Sequence, residues 1–174
     1  PFENGCFTLR LLNAEYRVAW PEYAITADRE DAFALTNLPC QTFLLRYLLE
    51  GKQAALSLGY KTFREMPWGE LYITPYTGRC LTRAAFTFGT QVSAFAAACE
   101  RMGGEKLSHG DAGYGFAFLG GYRMQIMIYA GDEEFPPSSQ ILYSDNFADG
   151  FSAEDRVVAG DILISAIRQE MKRK

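Results

Sequence analysis

The sequence predicts an α+β fold: an antiparallel sheet built from hairpins, with helices packed mainly on one face, in a single domain over residues 1–174. Three observations carry this. Two pairs of strand-like segments are joined by short turns, at Asn13-Ala14 and at Gly120-Gly121, which is the pattern of local hairpins. Helical periodicity comes in blocks between and after these hairpins rather than alternating with single strands, which disfavours a parallel βαβ sheet. Finally, 174 residues with 48% hydrophobic side chains suffice for one self-supporting core.

The elements follow in order. Residues 6–12 and 15–20 are rich in Phe, Leu, Tyr, Val and Trp and read as a hairpin ended by Pro21, with a third short strand over 23–26. The acidic run 28–31 is expected to be a solvated loop or a frayed helix start. Residues 38–50 form a helix with Pro39 in its first turn, Gly51 at its exit and Leu44, Leu45, Leu48 and Leu49 as its buried side. The Gly- and Pro-rich stretch 51–80 is expected to be irregular, with extended pieces near 60–65 and 70–74, packed by Tyr60, Phe63, Trp68, Tyr72 and Tyr76.

Leu81, Ala85, Phe88, Val92, Phe95, Cys99 and Met102 then recur at steps of three and four, one helical face with a break at Gly89-Thr90. Residues 113–119 and 122–130 make the clearest hairpin. A two-residue turn sets Leu119 opposite Tyr122 and Phe118 opposite Arg123. Alternation then sends Ala117, Leu119, Tyr122, Met124, Ile126 and Ile128 inward, and Tyr114, Phe116, Phe118, Arg123, Gln125, Met127 and Tyr129 to a mixed second face. Residues 140–143 add a strand. The last helix covers 153–172, opened by a capping box from Ser152 to Asp155.

Absences narrow the function. There are 17 Lys and Arg against 21 Asp and Glu, a net charge of −4, which argues against non-specific nucleic-acid binding. No apolar run approaches the ~20 residues of a membrane span. Cys6, Cys40, Cys80 and Cys99 are too far apart for a zinc knuckle or an iron–sulfur loop, so a reduced, cytoplasmic chain is expected, with Cys99 a packed core thiol. No nucleophile elbow or phosphate loop is present, and His109 is the sole histidine, which excludes multi-histidine metal sites within one chain. No catalytic or metal-ligating set is assigned, and the sequence specifies no cofactor.

Three segments are candidates for ligand binding. His109 and Asp111, two residues apart before the long hairpin, could share a proton or a metal ion; a loop histidine with a local hydrogen bond is the reading the sequence favours. Asp132, Glu133 and Glu134 precede Phe135-Pro136-Pro137. Consecutive carboxylates repel unless they are solvated, splayed or neutralised. They suit a cation site or acid–base work, or else a polar loop stiffened by prolines and anchored by Phe135. On the mixed sheet face, Arg123, Gln125 and Tyr129 beside Phe116 and Phe118 could line a groove for a planar or anionic ligand, unless another element covers it.

Several of these segments share an order and spacing with a known family. Leu44-Leu45-Arg46-Tyr47-Leu48-Leu49-Glu50-Gly51, Tyr60 through Gly69, Phe88-Gly89, Gly110-Asp111, Gly131 through Pro137 and Ile141 through Asp145 resemble, over about residues 38–168, the bacterial and archaeal domain of unknown function 3786. Its acidic-Phe-Pro-Pro string is the most specific part. The resemblance implies anaerobic metabolism and, in some members, an adjoining iron–sulfur cluster domain. With no cysteine cluster, this chain resembles a stand-alone member. The first functional expectation is therefore a non-catalytic accessory domain that binds a small molecule or an iron–sulfur or corrinoid protein partner. A structural protein that self-associates through an aromatic surface is the second. A metal-assisted hydrolase or transferase using the acidic loop with His109 and Asp111 is the third.

Overall fold

The computed structural model describes residues 2–52 and 54–173. Among the described residues nine strands form one sheet: β1 (Phe2–Glu3), β2 (Cys6–Leu11), β3 (Ala14–Ala19), β4 (Ile25–Ala27), β5 (Tyr60–Thr62), β6 (Glu105–Leu107), β7 (Ala112–Leu119), β8 (Tyr122–Tyr129) and β9 (Ser138–Ser144). The main order is β4-β3-β2-β7-β8-β9-β5, with β1 on β2 and β6 on β7, and every pairing is antiparallel. The helices are α1 (Leu38–Glu50), α2 (Gly69–Tyr76), α3 (Arg83–Phe88), α4 (Val92–Arg101), α5 (Phe147–Gly150) and α6 (Ala153–Met171). The α+β class expected from the hairpins is what the chain adopts.

Gly120 and Gly121 both have positive φ, 56° and 92°, and make the two-residue turn between β7 and β8. Leu119 pairs with Tyr122 as the turn dictates. Beyond that pair a bulge at Phe118 shifts the register, so Arg123 faces Ala117 rather than Phe118. The shift corrects the face assignment of β7. Tyr114, Phe116 and Phe118 lie with Met124, Ile126 and Ile128 on the inner face, all at most 3% exposed, while Ala117 is turned to solvent. One extra residue exchanges the two sides of a strand, and the turn itself gives no sign of it.

The segment 69–88 also departs from expectation. Residues 70–74 are helical, not extended. Tyr76 and Cys80 fall on one side of the helical path, where Tyr76 stacks on Phe63 with centroids 4.0 Å apart and Cys80 is fully buried. This burial overrides the strand preference of Tyr72-Ile73-Thr74. Pro75 removes one helical donor, and the helix widens into a π-turn over Thr77–Thr82 before continuing as α3. The break after Phe88 falls where Gly89 was expected to place it.

Helices α3 and α4 pack on β7, β8 and β9, and α6 runs along α1, α2 and α4. One hydrophobic cluster, from Leu11 to Ile167, fills the space between the inner sheet face and these helices. The Ser152–Asp155 capping box is present at the start of α6. Among the described residues no helix is long and apolar enough to cross a membrane.

Candidate functional site

The acidic loop after β8 is organised around Asp132. Its Oδ1 accepts the backbone N–H groups of Glu134 at 2.9 Å and Phe135 at 2.7 Å, and these bonds hold its carboxyl below the usual carboxylate range. Glu133 and Glu134 are exposed. Phe135 is 67% exposed, so it is not the anchor expected of it. Pro137 takes that role by lying directly over Gly89, where any side chain would collide with its ring. His109 and Asp111 sit in the β6–β7 turn. The Asp111 carboxylate accepts the N–H of Ala130 at 2.7 Å, which ties this turn to the start of the acidic loop, while His109 is exposed beside Ser108. Among the described residues no three His, Cys, Asp or Glu side chains converge to hold a metal ion.

A depressed pKa means that Asp132 stabilises the loop above the ordinary carboxylate range, and that this contribution is lost as the pH falls through the lowered value. Asp132→Asn is therefore expected to speed amide exchange at Glu134 and Phe135 at neutral pH, with the global unfolding midpoint unchanged. Hydrogen exchange read residue by residue checks this. Unaltered protection at both amides would contradict it.

The mixed sheet face is not the groove expected. Phe116 and Phe118 belong to the core on the opposite side, by the bulge described above. Arg123 lies across the outer face, where its Nε donates to the Tyr60 hydroxyl at 3.2 Å and its Nη2 to Glu105 at 2.6 Å. Two of its five N–H donors are thus committed to groups of the protein. Gln125 is half-buried over Gly115 and Leu142, and Tyr129 lies at the far end of β8 opposite Ser138.

The acidic loop borders an open depression of about 530 Å³ with Gly89 and Thr90; a narrower concavity lies elsewhere, between the C-terminal half of α1, the Pro67-Trp68 turn, and the junction of α5 with α6. It encloses about 410 Å³, within the range of small-molecule sites. Its aromatic wall is a stack: Phe151 lies parallel to Phe43 at 5.1 Å and to Tyr47 at 5.7 Å, with Tyr122 edge-on at 4.8 Å. Trp68, 71% exposed, lines the same cleft. Its backbone is left-handed, φ 64° and ψ 5°, a conformation that costs a residue with a Cβ about 1–2 kcal/mol.

The polar part of the cleft comes from α1 and α6. Arg46 Nη1 pairs with Asp155 Oδ1 at 2.8 Å, while Asp155 Oδ2 accepts the Ser152 hydroxyl at 2.6 Å. Arg156 is 1% exposed. Its Nη1 donates to the Phe151 carbonyl at 3.3 Å, its Nη2 donates to the Pro67 carbonyl, and its guanidinium lies 5.6 Å from the Phe63 ring centroid. Nε has no hydrogen-bond partner, and among the described residues Arg156 forms no ion pair. The arrangement offers flat apolar surface, a buried cation and a helix N-terminus around one cavity.

A family model described as domain of unknown function (DUF3786) matches residues 1–166 of the 174. The chain belongs to that family. No curated protein and no solved structure matches it. In this DUF3786 member the N-terminal hairpin falls within the matched span, which begins well before residue 38, where the sequence resemblance was first read. Two of the segments that carried the resemblance, around Arg46-Tyr47 and Pro67-Trp68, meet at the cleft although they are distant along the chain.

None of Arg46, Trp68, Phe151 or Arg156 was singled out from the sequence as a site residue. One signal was available. Arg156 occupies the buried side of α6 beside Val157 and in line with Leu163, positions where an apolar residue is the rule. A charge on that stripe marks either a buried pair or a site.

Proposed function

We propose that this chain is a non-catalytic accessory domain that binds a small molecule in the cleft between α1, Trp68 and the α5–α6 junction. The observation that carries the reading is Trp68: a large indole held exposed, in a left-handed backbone, lining the same cleft as the stacked rings of Phe43, Tyr47 and Phe151. Strained residues of this kind cluster at ligand sites, and an exposed tryptophan beside a pocket is a ready contact for a flat molecule. Binding rather than chemistry is supported by the state of the lining groups. Asp155 is occupied by the helix cap and Arg46, and burial pushes the Tyr47 hydroxyl up, away from use as a base at neutral pH. Of the free thiols, Cys40 and Cys80 are pushed up to about 12 by burial, which leaves them protonated. Unpaired cysteines also fit the reducing, cytoplasmic setting expected from the sequence.

The anaerobic context and an iron–sulfur or corrinoid protein partner remain part of this proposal. Leu71, 72% exposed, and Tyr72, 38% exposed, extend the Trp68 surface along α2. That strip favours, as a second reading, contact with another protein or a second copy of this chain.

Thermal unfolding with a panel of corrinoids, flavins, tetrapyrroles and nucleotides tests the first reading. A ligand at about 100 times its Kd should raise Tm by about 5–10 °C. Trp68→Ala should abolish the shift without lowering the unliganded Tm. A panel without any shift, or a shift that survives loss of Trp68, counts against the cleft.

A further inference from the structure

The charge pattern of the same cleft narrows what it takes. We infer that it receives an organic anion with a flat ring body: the acid group lies at the α6 N-terminus beside Arg46 and Arg156, and the ring lies against Trp68. This rests on the reading of the cleft as a ligand site.

Three observations point to the anion. First, Arg156 carries its charge inside the protein with only main-chain carbonyls around its terminal nitrogens, and its Nε has no partner. A buried guanidinium with no carboxylate in direct contact, Asp155 acting on it only from a distance, leaves positive potential in a region of low dielectric, where an incoming anion is bound most strongly. Second, α6 is a 19-residue helix whose first turn borders the cavity at Ser152 and Ala153. The capping box satisfies the N–H groups of Ser152 and Asp155. The N–H groups of the first two helical residues have no acceptor within the helix, and the macrodipole adds to the field there. Third, Arg46 is 42% exposed on its side chain; it engages Asp155 at 2.8 Å and approaches Glu50 at 4.0 Å, and these two contacts leave others of its five N–H donors open.

The carboxylates nearby do not cancel this. Asp155 is divided between the cap and Arg46. Glu50 and Asp149 at the rim, and Glu154 in the first turn of α6, are exposed, where water and salt screen them. The ring follows from Trp68 and from the planarity of both guanidinium groups, which favour flat acids over compact inorganic ions.

A matched pair of fluorescent probes tests the inference: 8-anilinonaphthalene-1-sulfonate and N-phenyl-1-naphthylamine, the same ring system with and without an acid group. Each is titrated into the wild-type chain, Trp68→Ala and Arg46→Gln. The sulfonate should bind one per chain and about tenfold tighter than the amine. Arg46→Gln should weaken the sulfonate about tenfold and leave the amine unchanged, and added salt should weaken the sulfonate alone. Trp68→Ala should weaken both. Equal affinity for the two probes, still dependent on Trp68, would overturn the anion inference and leave the cleft as a ligand site. Binding of either probe that ignores Trp68 would overturn both. Arg46 lies on the protein surface, so its variant is expected to fold, and unchanged circular dichroism verifies this.

Discussion

Phe147→Ala is expected to destabilise the protein by about 3–5 kcal/mol and to lower Tm by roughly 10 °C. Phe147 is fully buried in the short helix α5, where the chain leaves β9 for α6. Four rings surround it: Phe151 at 4.9 Å, Tyr143 at 5.0 Å, Tyr122 at 5.3 Å and Phe118 at 5.8 Å. Two of these rings are on the sheet's central hairpin, one is on β9, and one is the parallel wall of the cleft. Truncation therefore loses the transfer free energy of the ring and opens a cavity that rigid neighbours cannot fill. It also removes the support behind Phe151, so any ligand-induced rise in Tm should shrink with it. Phe147→Leu keeps most of the volume and should cost less than about 1.5 kcal/mol. Urea unfolding of the three proteins checks the series. A loss below about 1 kcal/mol for the alanine variant would mean that the ring cluster closes over the gap.

The same cluster shows why the sequence revealed the fold better than the site. Local signals were sufficient for the hairpins: Gly120-Gly121 can hardly be anything but a tight turn, and the Ser152–Asp155 pair names a helix start within one residue. Met124, Ile126 and Ile128 alternate cleanly and point inward as read. The failures came where a local preference met a distant constraint. The bulge at Phe118 is not encoded by the turn but coincides with the point where Leu12 of the first hairpin donates to the Phe118 carbonyl at 2.8 Å. Residues 70–74 look extended by composition and become helical because Tyr76 finds Phe63 and Tyr143.

The cleft is the extreme case. It is assembled from residues near 46, 68 and 151, and no window of sequence holds more than one wall. Asp132, Glu133 and Glu134, by contrast, are conspicuous in sequence as three adjacent acids. In the fold, one caps its own loop and the others face water.

Arg156→Ala is expected to cost about 3–4 kcal/mol, and its consequence for Trp68 is more diagnostic than its size. The guanidinium ties the Pro67 carbonyl, on one wall of the cleft, to the Phe151 carbonyl on the other, and lies over Phe63 between them. Alanine removes both charge-assisted bonds together with the packed stem. Arg156→Met separates these contributions, because it keeps the stem and eliminates an unpaired buried charge. The relieved desolvation offsets part of the lost bonding, so the methionine variant should lose only about 1–2 kcal/mol. Arg156→Lys retains a charge, but its single ammonium cannot span both carbonyls in the planar fork that arginine provides.

In all three variants the tie between the walls is broken, and the left-handed backbone of Trp68 loses what opposes its relaxation. Trp20 and Trp68 are the only tryptophans, so a Trp20→Phe background isolates the indole of the cleft. In that background Trp68 fluorescence anisotropy should fall in the methionine and lysine variants at temperatures where both remain folded. An unchanged anisotropy would mean that the Pro67-Trp68 turn holds its shape without Arg156.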